Sequence, residues 1–325
     1  MNIERLDQPL AIPASQLQNL IEADQLFELL AVACKMRLFD SLSEACTAAE
    51  LAKHRHIDET TTQYLLDVLA YAGYLEAVQG LYKNSPVSET YLHTASLAYL
   101  GHNFMVQTGD VEEQLMRSLT KPGEAAAGPE PEWNPEKLRQ IGVTGLLGSI
   151  QATVSAVNLA EASRLLDLGG GHGFYSIAFA QKHTNLHVTL FDLAQVIPLA
   201  DSYIQQFGVQ GRVLTRAGNF LTDAIGTGFD AVLCANILHR EKRETVLPKV
   251  YNAINPGGRI IVKCRIVEAE KTLSAALAKL LWYVRGGKEF LSLRQWCGML
   301  EQYGFTDVGT VLVDGIFATI VAKKP

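Results

Sequence analysis

One short stretch constrains this 325-residue chain more than any other. The apolar run Leu165-Leu166-Asp167-Leu168 stops at Gly169-Gly170-Gly171-His172-Gly173, four glycines within five residues. So abrupt a break reads as a buried strand feeding a tight loop. Glycine adopts backbone angles closed to other residues and lets a ligand come close to the main chain. Phe174 to Ala180 then starts a helix whose first free amide groups face the loop. Strand, glycine loop and helix in this order open an α/β nucleotide-binding unit, with a nucleoside cofactor as the natural occupant.

The glycines stop short of the dinucleotide fingerprint Gly-x-Gly-x-x-Gly, because Phe174 occupies the place of its third glycine. A second apolar stretch, Leu186 to Phe191, ends at Asp192, 21 residues after Gly171. That spacing suits a carboxylate binding ribose hydroxyls. An adenosine ligand without a pyrophosphate fits better than NAD, and S-adenosyl-L-methionine is such a ligand. A glycine cluster alone also suits a plain turn; Asp192 at the right distance argues for the cofactor.

A chain of this length is expected to form two domains, each large enough for its own core. Hydrophobic residues make up 48% of it, which supports globular folding. No uninterrupted apolar run approaches the roughly 20 residues that span a bilayer, and Met1 to Asp7 lacks a basic region leading into an apolar core. A soluble, cytoplasmic protein without a membrane partner is expected. Cys34, Cys46, Cys234, Cys264 and Cys297 form no Cys-x-x-Cys pair and fit reduced thiols. Neither a disulfide framework nor a metal site is indicated, since no two histidines and an acid stand at a recognisable spacing.

From about Ser15 to Leu100 the pattern is helical, with short polar breaks. Gln25 to Phe39 places Leu26, Leu29, Leu30, Ala33 and Met36 on one face. Thr47 and Glu50 form a capping box for the next helix, and Thr60 to Ala72 is a third, ended by Gly73. Tyr74 to Val78, the turn Gln79-Gly80 and Leu81 to Asn84 complete a hairpin. Three helices and a hairpin make a winged-helix unit. Residues 1–100 carry six Lys and Arg against thirteen Asp and Glu, and Thr60 to Ala72 has no Lys or Arg. A DNA reader needs a basic face, so nucleic acid is not the expected partner. The apolar stripes instead suit a second subunit or the other domain.

Residues 101–150 read as a helical linker and pocket segment, interrupted by the Pro- and Gly-rich loop Lys121 to Pro135, in which Trp133 suits either a pocket mouth or simple packing. From residue 151 to 325 strands and helices alternate. The expected strands are Arg164–Leu168, His187–Phe191, Arg212–Arg216, Ala231–Ala235 and Gly258–Arg265. This alternation implies a parallel Rossmann-like sheet with its ligands beyond the strands' carboxyl ends. Asp307 to Val313 and Ile316 to Ala322 flank Asp314-Gly315, a strong hairpin signal.

Together these pieces resemble the class I S-adenosylmethionine-dependent O-methyltransferases, specifically the plant caffeic acid-type and bacterial natural-product enzymes with an N-terminal dimerisation domain. The landmarks are Asp167 to Gly173, Asp192-Leu193, Gly211-Arg212-Val213 through Gly218-Asn219-Phe220, Asn236-Ile237-Leu238-His239 and Asn255-Pro256-Gly257-Gly258. The resemblance implies a methyltransferase sheet closed by an antiparallel hairpin and a homodimer formed through the winged-helix domain. It puts the methionine portion of the cofactor near Gly169 and Gly171, ribose on Asp192, and adenine near Asn219 and Phe220. Asp167, Gly170, Leu193, Gly218 and Asn236 complete the implied cofactor set. Asn219 stands where the family usually has an acid. Phe104, Met105, Met116 and the run Leu277 to Val284 with Trp282 are candidate pocket walls for a small-molecule acceptor.

Methyl transfer to a phenol, pKa near 10, benefits from a base such as imidazole, pKa around 6.5. His239 follows the apolar strand Ala231 to Ala235 and stands at the family's catalytic-base position. The family continues with Asp-Trp, whereas this chain has Arg240-Glu241. Of two glutamates that flank the imidazole in the family, one matches Glu289; the other falls near Lys263-Cys264, where there is no acid. Lys263, at a strand end, is a candidate to bind an acidic substrate or to lower a phenol's pKa. The expected activity is methyl transfer to a hydroxyl of a small aromatic or heteroaromatic metabolite. The same scaffold admits N- or C-methylation and a member that no longer transfers methyl. From another class comes a cofactor-sensing winged-helix DNA regulator, against which the acidic first half argues.

Overall fold

A computed structural model describes residues 15–105, 115–116, 119, 135–268, 272–284 and 290–325. The chain divides into two compact units, Met1–Gln107 and Thr108–Pro325. Among the described residues no helix is long and apolar enough to cross a membrane.

The first unit runs α1 (Ser15–Lys35), a 3-10 turn (Leu38–Ser41), α2 (Ala48–Arg55), α3 (Glu59–Tyr71), β1 (Leu75–Val78), β2 (Leu81–Asn84), α4 (Pro86–Tyr91) and α5 (Gly101–Met105). The capping box forms: Glu50 N donates to Thr47 Oγ1 at 3.2 Å and Thr47 N donates to Glu50 Oε2 at 2.8 Å. Asp58 accepts from Thr61 N at 2.7 Å, so α3 begins one residue before the expected Thr60. The first helix differs more. It starts at Ser15 and ends at Lys35, because Arg37 turns the chain with a left-handed φ of 52°. Its early turns leave Leu17, Leu20 and Ile21 exposed, which hides the helical stripe in the sequence. Leu30, Leu38, Phe39, Leu51, Leu66 and Leu69 form the core of this unit.

The second unit runs α6 (Pro135–Leu146), α7 (Ser149–Ala156), β3 (Arg164–Leu168), α8 (Phe174–Lys182), β4 (His187–Asp192), α9 (Ile197–Gln206), β5 (Val213–Ala217), β6 (Phe229–Ala235), α10 (Arg240–Ala253), β7 (Ile254–Arg265), α11 (Leu273–Val284), α12 (Leu293–Gln302), β8 (Thr306–Asp314) and β9 (Phe317–Lys323). One seven-stranded sheet results, in the order β5-β4-β3-β6-β7-β9-β8. Strands β3 to β7 are parallel, β9 runs antiparallel to β7, and the β8–β9 hairpin closes the edge. The switch in strand order at β3 opens a crevice beyond the strand ends, where ligands of such sheets sit.

Alternation along the central strands gives the sheet two unlike faces. Leu166, Leu168, Val232, Cys234, Val262 and Cys264 pack with Val246, Leu247 and Val250 of α10 and Trp296 and Leu300 of α12. The intervening Asp167 and Lys263 point to the opposite side, where they meet hydroxyls of α8 and α7.

A candidate cofactor and catalytic site at the strand ends

The glycine loop is held from below by packing and from the side by a carboxylate. Gly169 and Gly171 take φ of 70° and 55°. A Cβ on Gly169 would stand 2.7 Å from Ile237 Cγ2, and one on Gly170 would stand 2.6 Å from Leu190 Cγ. Neither position has room for a side chain. Gly171 N donates to Asp192 Oδ2 at 2.8 Å and Leu193 N donates to Asp192 Oδ1 at 2.7 Å. A carboxylate has about four acceptor positions, so roughly two stay open for a vicinal diol. Burial raises the pKa of Asp192, with the two backbone donors acting against the rise.

Beneath the loop lies Asp167, 1% exposed. Ser176 Oγ donates to its Oδ2 at 2.7 Å, while Oδ1 has no hydrogen-bond partner. Burial pushes this carboxyl up to about 7, with the Ser176 bond pulling the other way and the charge of Asp192 adding to the rise. A buried acceptor without a donor is destabilising, and an ammonium group entering here would relieve it. The pair fits a nucleoside carrying an amino acid: a diol at Asp192, a cation at Asp167. Ser176 left no motif in the sequence; its signal is a hydroxyl in the first turn of the helix after the loop.

Gly218, Asn219 and Phe220 follow β5 on the same edge. Gly218 N donates to Asp192 O at 2.9 Å, and a Cβ there would meet the Phe191 ring at 2.4 Å. Asn219 caps its own turn: Oδ1 accepts from Leu221 N at 2.9 Å, and its backbone N donates to Asp223 Oδ2 at 2.9 Å. Phe220 packs against the core, with Cε1 3.4 Å from the Cβ position of Gly169.

At the exit of β6, Asn236 adopts a left-handed φ of 58°, its N donates to Lys263 O at 2.8 Å, and its buried Oδ1 has no hydrogen-bond partner. Asparagine tolerates this conformation better than most residues. His239, half-buried, is the N-cap of α10, and its carbonyl accepts from Lys242 N at 2.9 Å and Arg243 N at 3.2 Å. The backbone of the histidine is thereby fixed between strand end and helix start. Glu289 and Trp133 lie outside the described residues, as do the side chains of Arg240, Glu241, Met105 and Trp282. Phe104 packs on Phe27 in the first unit, ring centroids 5.3 Å apart; Met116 is 55% exposed.

Lys263 is not at a strand end. β7 continues to Arg265, and the lysine is 3% exposed. Its Nζ donates to Ser149 Oγ at 2.8 Å and Thr153 Oγ1 at 2.9 Å, both on α7. Its ammonium is turned to α7 within the sheet, which corrects the expected place at a strand end.

Two family descriptions match this chain: an O-methyltransferase domain over residues 146–306 and an O-methyltransferase dimerisation domain over residues 19–94. The chain is similar to the N,N-dimethyltransferase OxyT of Streptomyces rimosus, at 28% identity over 98% of this chain and 99% of the relative. It is 27% identical to 3-hydroxy-5-methyl-1-naphthoate 3-O-methyltransferase of Streptomyces sahachiroi, covering 87% of this chain and 86% of that protein. Its fold matches the crystal structure of human N-acetylserotonin methyltransferase in complex with SAM, with a TM-score of 0.77, 21% identity, and coverage of 98% and 99%. On these grounds the chain belongs to the S-adenosylmethionine-dependent O-methyltransferase family that carries an N-terminal dimerisation domain.

Proposed function

We propose that this enzyme methylates a hydroxyl of a small aromatic or heteroaromatic metabolite, with His239 as general base. The observation that carries the cofactor half is the Gly171–Asp192 clamp beside the unpartnered Oδ1 of Asp167. In this reading Asp192 and Leu193 bind the ribose, Gly218 to Phe220 line the adenine, and Asp167 with Gly169 to Gly171 hold the methionine end. Asn236 borders the same crevice. When bound, the cofactor supplies an electrophilic methyl group on a sulfonium. The protein's task is then alignment, which accounts for much of the rate in such displacements. His239 accepts the hydroxyl proton as the oxygen attacks, and the fixed backbone at the head of α10 keeps the imidazole at the strand end. Glu289 is proposed to orient that ring, and Met116 and Trp282 to bound the acceptor.

Incubation with a panel of phenols and nitrogen heterocycles, followed by mass spectrometry, identifies the atom methylated. His239→Ala is expected to slow O-methylation by roughly a hundredfold to ten-thousandfold, while calorimetry finds cofactor affinity within about twofold of wild type because the ring lies outside the proposed cofactor contacts. Unchanged turnover would remove His239 as the base. Nitrogen as acceptor is the second reading, favoured by the full-length similarity to a protein named as an N,N-dimethyltransferase.

The dimerisation domain is proposed to form a homodimer. Tyr64, Val68 and Tyr71 leave an apolar strip exposed on α3, beside which the acidic charge of this half disfavours nucleic acid. Light scattering should give twice the 35.6 kDa chain mass. A cytoplasmic location follows from the same reading.

A further inference from the structure

We infer that Lys263 sets the preference of the site between the sulfonium cofactor and its neutral thioether product, by holding a buried positive charge on the sheet face that carries Asp167. The inference rests on the cofactor reading above. Thr153 Oγ1 donates its own proton to Ser149 O at 2.8 Å, so toward Lys263 it can only accept. The ammonium also stands 5.5 Å from the centroid of the Phe317 ring, an arrangement that favours a cation. Tyr175, hydrogen-bonded to the same two hydroxyls, is a neutral phenol, pushed up to about 12 by burial. Burial lowers the pKa of Lys263, and the carboxylate of Asp314 acts to raise it. All its hydrogen bonds go to hydroxyls, and hydroxyls do not cancel a charge.

Strand register gives the distance over which that charge acts. Asp167 stands opposite Leu233, and Ala235 stands opposite Lys263. Gly169 therefore lies level with Lys263, two strands away, a backbone separation of about 10 Å. Lys263 and Asp167 point to the same face, so Asp167 attracts a sulfonium held at Gly169 and Lys263 repels it. The thioether has no charge to repel. At an effective dielectric near 20, one unit charge at about 10 Å is worth roughly tenfold in relative affinity, and partial screening reduces this to about threefold.

The test is calorimetry of S-adenosylmethionine and S-adenosylhomocysteine on wild type, Lys263→Met, Lys263→Arg and Asp314→Asn. In Lys263→Met the sulfonium should gain on the thioether by about threefold to tenfold. Lys263→Arg, which keeps the charge, should keep the wild-type ratio. Asp314→Asn removes the opposing carboxylate without touching the lysine and should shift the ratio the other way; it decides the matter if Lys263→Met does not fold. Equal ratios in the folded variants, with both ligands bound, would overturn the inference. Failure of wild type to bind either ligand overturns the cofactor reading itself, a result of a different kind.

Discussion

The two faces of the central strands are built from alternate residues of the same segments, yet they do different work. Toward α10 and α12 the side chains are apolar and buried, and the favourable term is simply area removed from water. Toward α7 and α8 the same strands set an acid, an ammonium and a hydroxyl, Asp167, Lys263 and Thr319, among the equally buried Leu165, Leu190, Leu233 and Ile261, with Asp167 Oδ1 and Thr319 Oγ1 buried and without partners. Such groups lower stability unless paired. The first face only stabilises the sheet, whereas the polar groups of the second also charge the site. Substitutions on the two should therefore have opposite signatures.

Leu166→Ala tests the apolar face and has the largest expected effect on stability. Leu166 is fully buried among β6, β7 and α10 residues, so truncation should destabilise the second unit by about 3 kcal/mol, within the usual range for a core leucine. Chemical denaturation would measure this, and cofactor affinity of the folded variant should be unchanged. A loss in affinity of tenfold would break the separation of roles.

Asp167→Asn tests the polar face through pH. The carboxyl is raised to about 7 in the fold against the ordinary 3.8, so the native state binds its proton more tightly than the unfolded chain. The associated stability is fully present below about pH 4 and is lost as pH rises through about 7. His172 has the opposite sign. Burial lowers its imidazole to about 4 from 6.5, so its contribution is present above about pH 6.5 and lost as pH falls through about 4. In wild type the two slopes oppose each other across this window. Asp167→Asn leaves the His172 slope, so stability should rise with pH from about 4 to 6.5, and at pH 8 the variant should exceed wild type by roughly 4 kcal/mol. Its cofactor affinity should fall about tenfold, because the charge facing the proposed ammonium is gone. A variant as pH-flat as wild type would mean that Asp167 does not titrate in this range.

What was legible in the sequence follows the same division. β3 was readable to its last residue because four glycines end it, and the Asp314-Gly315 hairpin because the turn chemistry is local. The landmarks Gly169, Asp192, Asn219 and His239 all stand at or just beyond the carboxyl ends of strands, so topology alone gathers them on one edge. The start of β7 at Ile254, ahead of the expected Gly258, was hidden by Asn255-Pro256-Gly257, which reads as a turn but is hydrogen-bonded into the sheet. The environment of Lys263 was hidden for another reason. A central parallel strand is buried on both faces, so its sequence shows no alternation to say which helix a residue meets. Ser149 and Thr153 precede it by more than a hundred positions, and only the fold brings them together.

The finest test of the polar face is one substitution made twice. Thr319 is fully buried opposite Lys263 in the β7–β9 register, and its hydroxyl has no partner. Thr319→Val keeps the branched shape that suits a strand and removes the unsatisfied oxygen, so stability should rise by about 1 kcal/mol. Thr153→Val removes an equally buried hydroxyl that accepts from Lys263 and donates to Ser149 O. Here the ammonium loses an acceptor, and stability should fall by about 1–2 kcal/mol. Opposite signs, read from paired denaturation curves, would separate the hydroxyls that hold the lysine from the one that does not. If both variants are destabilised alike, Thr319 has a hydrogen-bond partner such as an ordered water, and the layer beneath α7 is as fully satisfied as the apolar face is dry.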